Sequence, residues 1–123
     1  MKVLLSIKPE YADRILNGEK RFEYRKSVFK DRTITTVVIY ATKPVGMIVG
    51  EFVIDGVISG NPPKVWHLTS EFSGISRDFY NNYFCGRNTA YAIKVAKAKR
   101  YKKPVELEDL LPSGLPPQSF CYI

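Results

Sequence analysis

Three side chains in one short stretch, Lys20, Glu23 and Arg25, place an ammonium, a carboxylate and a guanidinium among the rings of Phe22 and Tyr24. A cleft ammonium contacts a phosphate or a base edge, or activates a water. A carboxylate accepts from an amino group on a base, or takes a proton as general base. A guanidinium binds phosphate or stacks on a ring. Each residue also has a purely structural reading. Lys20 can be an ordinary exposed lysine after a helix. Glu23 and Arg25 lie two apart on one strand face, where they can form an ion pair that anchors the strand to the wall of a sheet. In a regular strand Lys20 points away from Glu23. One shared cleft therefore requires Lys20 to lie in the turn, or a bulge to intervene.

The elements that must position these groups follow from pattern and punctuation. Val3 to Ile7 is an apolar run of strand length, and Pro9 suits the first turn of a helix. Tyr11, Ala12, Ile15 and Leu16 form an apolar stripe at helical spacing, and Asn17-Gly18 ends that helix. Alternation predicts a strand over Lys20 to Arg25, followed by a basic connection from Lys26 to Arg32. Ile34 to Ala41 is rich in β-branched residues and reads as the strongest strand. After a turn at Thr42-Lys43-Pro44, Val45 to Ile54 reads as another strand. Gly46 and Gly50 within it signal a bulge, a bend or a close backbone approach.

Helices are predicted over Lys64 to Phe72 and over Ser76 to Phe84, the second capped by Ser76 and stopped at Cys85-Gly86. Tyr80, Tyr83 and Phe84 then make an aromatic stripe, read with Trp66 as core-facing rather than as a platform for a base. Thr89 to Ala96 is the last long strand, Leu107 to Leu111 one helical turn, and the proline-rich tail irregular. Strands outnumber the short helices. The class is α+β, a small bent β-barrel with helices in its connections, in a single domain over 1–123.

Lys and Arg number 19 against 12 Asp and Glu, a net charge of +7 that favours nucleic acid or phosphate-bearing ligands, or else serves solubility. Lys8 and Lys43 sit at element ends, where ligands are met, and Thr42 and Lys43 are placed at the same mouth. For Lys43 plain solvent exposure is the better reading. Arg21, Lys26, Lys30 and Arg32 follow a phosphate backbone or form a solvated loop. Lys94, Lys97, Lys99, Arg100, Lys102 and Lys103 make a second basic patch. Cys85 and Cys121 form no CxxC pair, and His67 is the sole histidine, so neither a structural zinc site nor another metal or cofactor is expected. No apolar run has membrane-spanning length, and the expectation is a cytoplasmic protein without a membrane partner.

The segment Ser6-Ile7-Lys8-Pro9-Glu10-Tyr11-Ala12, continued by Ile15-Leu16-Asn17-Gly18-Glu19-Lys20-Arg21-Phe22-Glu23-Tyr24-Arg25, resembles the opening motif of ASCH domains in the PUA-like superfamily. Ile39-Tyr40-Ala41, Val49-Gly50-Glu51-Phe52 and Tyr91-Ala92-Ile93 extend the resemblance. The tail Pro116-Pro117-Gln118-Ser119-Phe120 is similar to that of small stand-alone bacterial and phage members. The resemblance implies a PUA-like β-barrel with a cleft beside the first helix and the motif strand, and an RNA-binding or regulatory module. It also implies a second class. Some members are enzymes, one group an amidohydrolase of N4-acylated cytidine and another a ribonuclease. In the amidohydrolase pattern a lysine matches Lys20, but a nucleophilic threonine stands where this chain has Glu23. A downstream glutamate is also required there, for which Glu71 is the loosest candidate.

Two functions of different class follow. The first is a module binding RNA or another single-stranded nucleic acid, or a nucleotide, through Lys8, Lys20, Arg21, Glu23, Arg25, Thr42 and Lys43. The second is a small hydrolase of a modified nucleoside or of RNA, with Lys20 and Glu23 as its catalytic pair.

Overall fold

The computed structural model describes residues 1–123. The run Val3–Ile7 forms β1, almost wholly buried because it lies inside the sheet and is covered on both faces. Val3, Leu5 and Ile7 join Ala12 and Ile15 of helix α1 (Pro9–Leu16) in the main core, while Leu4 turns to a second cluster with Val38, Tyr40, Ile48 and Leu107. Burial on both faces is why this strand reads as a continuous apolar run.

Strand β2 is Phe22–Arg25, β3 is Thr36–Ala41, β4 is Met47–Gly60, β5 is Ala90–Val105 and β6 is Phe120–Tyr122. They form one mixed sheet in the order β2-β5-β4-β3-β1-β6, with β1 and β3 parallel and the other pairs antiparallel. The β4–β5 ladder shifts register between Ile48 and Gly50 and twice more before Val57, and such bulges bend a sheet. Gly50 meets the expectation of a close approach. A β-carbon there would stand 2.5 Å from the Lys99 carbonyl oxygen and 2.8 Å from Leu16 Cδ2.

The sheet curls into a half-barrel, as the α+β barrel class anticipates. It is not closed by a ladder, since β2 and β6 are its two edges. Side chains span the gap instead. An Arg25 Nη2–H donates to the Ser119 carbonyl, the Ser27 and Ser119 hydroxyls lie 3.2 Å apart, and the Phe29 and Phe120 rings meet edge to face at 6.0 Å.

Several boundaries differ from the sequence expectation. β2 begins at Phe22 rather than Lys20. β4 runs on through Asp55-Gly56, and β5 continues through the lysines to Val105. In these extensions the backbones stay paired while most side chains are exposed, so no apolar alternation marks them. The tail contributes β6, held on β1. Helix α2 (Pro62–Thr69) starts two residues early because Asn61 caps it, accepting from the Lys64 N–H at 2.9 Å, and a 3₁₀ turn at Ser70–Phe72 follows. Helix α3 (Arg77–Tyr83) has the Ser76 cap read from the sequence, accepting from the Phe79 N–H at 3.0 Å, and α4 is Leu107–Leu110. No helix is long and apolar enough to cross a membrane.

Candidate functional site

Lys20 lies in the turn between α1 and β2, free of strand alternation. Its backbone N–H donates to the Arg14 carbonyl at 2.9 Å, which points the side chain inward. The residue is 1% exposed. Its ammonium donates to the carbonyl of Phe22 and, at 2.9 Å, to that of Ser73. It also lies 4.7 Å from the Tyr24 ring centroid and 5.8 Å from that of Tyr11. Loss of solvation pushes its pKa down to about 8, against the opposing pull of the Glu23 carboxylate. Of the two readings of Lys20, the exposed one does not hold: the main-chain bend carries this side chain into the fold.

Glu23 is buried beside Arg25, with Oε2 accepting from Nη1 at 3.2 Å. The same guanidinium donates to the Ser6 carbonyl at 3.3 Å and to that of Ser119, so Arg25 ties β2 to β1 and to the tail. Glu23 Oε1 takes no hydrogen bond from the chain. No buried side-chain polar atom lacks a partner, so this oxygen is reached by solvent.

Both groups face one cavity of about 230 Å³ in the space that the sheet leaves open between β1 and β2. Ser6, Ile7 and Lys8 at the end of β1 form one wall; Glu23, Tyr24 and Arg25 form another. Tyr11 from α1 and Phe79 and Tyr83 from α3 supply aromatic faces, and Gln118 of the tail closes one side. Tyr11 meets Phe79 edge to face at 5.2 Å, while Phe79 and Tyr83 are nearly parallel at 6.2 Å. The Lys8 ammonium stands 5.0 Å from the Phe79 ring centroid at the mouth. The cavity thus presents flat apolar surfaces, one free carboxylate oxygen and flanking cations, an arrangement able to hold a planar ring that carries a donor.

Lys8, Lys20, Glu23 and Arg25 come together here; Arg21, Thr42 and Lys43 do not line this cavity. The Arg21 guanidinium sits 4.5 Å from the Phe72 ring centroid and lines a separate hollow with Asp55 and Lys94. The Thr42 N–H donates to the Ile7 carbonyl at 3.0 Å, and Lys43 is exposed in the turn beyond it. His67 and Glu71 are exposed and lie outside the lining.

The sequence reading missed Phe79 and Gln118; Tyr11, read as part of the helix stripe, and Tyr83, read as core-facing, do pack against the core, and each also lines the cavity. Helix α3 has two aromatic faces. Tyr80 and Phe84 are buried in the core with Trp66 packed on them, while Phe79 and Tyr83, four apart, face the cavity. That i, i+4 aromatic pair was the available signal. No group of three or more His, Cys, Asp or Glu is placed to hold a metal ion.

A curled mixed sheet with short helices and a cavity at its open seam defines the architectural class. Residues 5–104 match the ASCH domain, and the chain belongs to that family. It is 25% identical over 124 aligned positions to an ASCH domain-containing ribonuclease of Zymomonas mobilis, covering 99% of this chain and 84% of that protein. The crystal structure of ASCH from Zymomonas mobilis superposes with a TM-score of 0.92 at 25% identity, over 99% of this chain and 87% of the other. The N-terminal domain of Staphylothermus marinus McrB shares the fold at a TM-score of 0.63 and 14% identity, over 99% and 87% of the two chains.

Proposed function

We propose that this chain binds single-stranded RNA or its component nucleotides, with one base in the cavity between β1, β2 and α3. The observation that carries the reading is the free Oε1 of Glu23 in a cavity that the rings of Tyr11, Phe79 and Tyr83 also line. An aromatic face accepts any base by stacking, and a carboxylate selects those with an amino group to donate. Arg25 orients Glu23 through their ion pair, and the buried Lys20 ammonium lines the same cavity. Lys8 stands at the mouth for a phosphate. Arg21, Thr42 and Lys43 lie outside the cavity and are left to the strand beyond the bound base. The test is binding of short labelled RNA and of free nucleosides by Glu23→Gln and Tyr83→Ala proteins. Each is expected to bind at least about tenfold more weakly than wild type, the worth of one stack or one charged hydrogen bond. Unchanged affinity in both would remove the cavity from the interaction.

A second reading, hydrolysis of RNA or of an acylated nucleoside, is favoured by two observations. One is the ribonuclease relative, similar along nearly the whole chain. The other is the Lys20 ammonium, brought down to about 8 and so able to exchange a proton near neutral pH. Here Glu23 takes the proton of a water or ribose hydroxyl as that oxygen attacks phosphorus or the acyl carbon, and the Lys20 ammonium delivers a proton to the departing oxygen or amine. Incubation with labelled RNA and with N4-acylated cytidines separates this from binding alone. Cleavage that disappears in a folded Lys20→Met protein supports catalysis, and intact substrates after prolonged incubation with wild type oppose it.

A further inference from the structure

Beside the base cavity lies a second hollow of about 230 Å³, which shares Arg25, Tyr83 and Gln118 with it. The other residues lining it are Lys26, Ser27, Arg87 and Ser119, and none of the seven is acidic. Arg25 is already committed to Glu23, Ser6 and Ser119. Lys26 and Arg87 have no such commitment: both are exposed, and neither forms a salt bridge, although Lys2, Lys94 and Arg100 elsewhere on the surface do. Lys26 is nevertheless positioned, its ammonium 4.7 Å from the centroid of the Tyr83 ring. Two unpaired cations, two hydroxyls and an amide thus converge on one hollow next to a stacking surface.

We propose that this groove is a phosphate site, in which Lys26 and Arg87 hold the phosphate of the nucleotide whose base occupies the adjoining cavity. The assignment rests on the reading of that cavity as a base site. Tyr83 stands at the junction, so a base stacked on it directs its ribose toward the groove. Gln118, also at the junction and without a side-chain hydrogen bond of its own, is placed to meet the sugar or the base edge. The chemistry required of the ligand is an anionic phosphate oxygen joined to a ribose, supplied by a terminal phosphomonoester or by an internal phosphodiester. Guanidinium and ammonium donors bind either through charge-assisted hydrogen bonds.

The experiment measures binding of cytidine, 5′-CMP, 3′-CMP, the trinucleotide CpCpC and inorganic phosphate by calorimetry and by amide chemical shifts. The proteins compared are wild type and the double variant Lys26→Ala/Arg87→Ala, which removes only exposed side chains. A phosphate contribution predicts that wild type binds a monophosphate or CpCpC at least about tenfold more tightly than cytidine. In the double variant that advantage disappears while cytidine affinity is retained. Loss confined to the monophosphates assigns a terminal phosphate, and loss for CpCpC assigns a strand-internal one. If the double variant binds every phosphate compound as wild type does, or loses cytidine equally, the groove assignment is overturned. If cytidine fails to bind wild type but inorganic phosphate shifts the amides of residues 26, 27, 87 and 119 in wild type only, the groove stands and the base reading of the cavity falls.

Discussion

Gly74 lies against the aliphatic stem of Lys20, so closely that a β-carbon on Gly74 would stand 2.4 Å from Lys20 Cβ. The carbonyl of the preceding Ser73 accepts a hydrogen bond from the Lys20 ammonium, and that of Gly74 accepts from Arg14 Nη1 at 2.9 Å. The loop between α2 and α3 thus clamps the turn between α1 and β2, and the clamp sets the depth of the charge in the cavity. Gly74 has φ +67, where a side chain is itself unfavourable. Gly74→Ala is expected to destabilise the fold by roughly 2–4 kcal/mol, combining the left-handed backbone with overpacking. Urea unfolding measures this, and an effect below about 1 kcal/mol would mean that the loop moves aside freely.

Lys20 gives stability a pH signature. Burial lowers its pKa from 10.5 to about 8, so the folded chain releases this proton before the unfolded chain does. Below about pH 8 both states are protonated and the cost of burying the charge is fully present. Between about pH 8 and 10.5 only the unfolded state holds the proton, and stability rises with pH. Tyr24 acts oppositely above about pH 10, because burial raises its pKa and the unfolded phenol ionises first. The usable window is therefore about pH 8–10, with a gain on the order of 2 kcal/mol. Urea midpoints for wild type should climb across it, and those of Lys20→Met should stay flat. Parallel curves for the two proteins would remove Lys20 as the source.

The Arg25 guanidinium reaches Glu23, Ser6 and Ser119 at once, across an edge that no backbone ladder closes. Lysine offers one compact charge in place of the planar fork and cannot make all three contacts. Arg25→Lys is expected to lower stability by roughly 3 kcal/mol, since it leaves a buried carboxylate poorly paired. Hydrogen exchange should quicken at β6 and the residues just before it, the segment that Arg25 fastens. Unchanged protection there would show that pairing with β1 alone holds the tail.

Much of the fold was legible because local patterns and burial agree. β1 is apolar throughout because both its faces are covered, α1 has its stripe and its stop, and Ser76 caps α3. The far half of β5 was not legible because solvated lysines hide its strand, and that of β4 because Asp55-Gly56 carries a turn signal inside a continuing strand. β6 depends on a partner strand at the opposite end of the chain. At the site, Lys20, Glu23 and Arg25 were readable as a group because they lie together in sequence. Their depth was not, because it is imposed by Ser73 and Gly74. The distant wall escaped because Phe79 and Tyr83 obey the same helical periodicity as core residues, and only tertiary placement separates them from Tyr80.

That separation within α3 is testable. Tyr80 is 1% exposed and its hydroxyl donates to the Pro62 carbonyl at 2.6 Å. Tyr80→Ala is expected to cost roughly 3–5 kcal/mol of stability. Phe79→Ala should leave most stability intact and weaken RNA binding by about 1–3 kcal/mol, the worth of one base–aromatic stack. Thermal melts and anisotropy on the same two proteins make the comparison. Equal weakening of binding in both, after correction for the unfolded fraction, would argue against a specific role for the cavity face.

The exposed lysines of β5 call for a different measurement, because they lie beyond the cavity lining. Lys97 and Lys99 pair by backbone with Val53 and Glu51, and their side chains project to solvent with those of Lys102 and Lys103. Such charges attract a polyanion by releasing its condensed counterions, an effect that depends on ligand length. Replacing Lys97, Lys99 and Lys103 with Gln should leave the affinity for a mononucleotide unchanged. For long single-stranded RNA it should lower affinity and reduce the slope of log K against log salt by about 0.7 for each phosphate no longer neutralised. An unaltered slope on long RNA would place the strand's path on the Lys26–Arg87 side alone. A change in mononucleotide affinity would mean that β5 acts on the cavity itself, through its ladder with β2 from Tyr91 to Lys94.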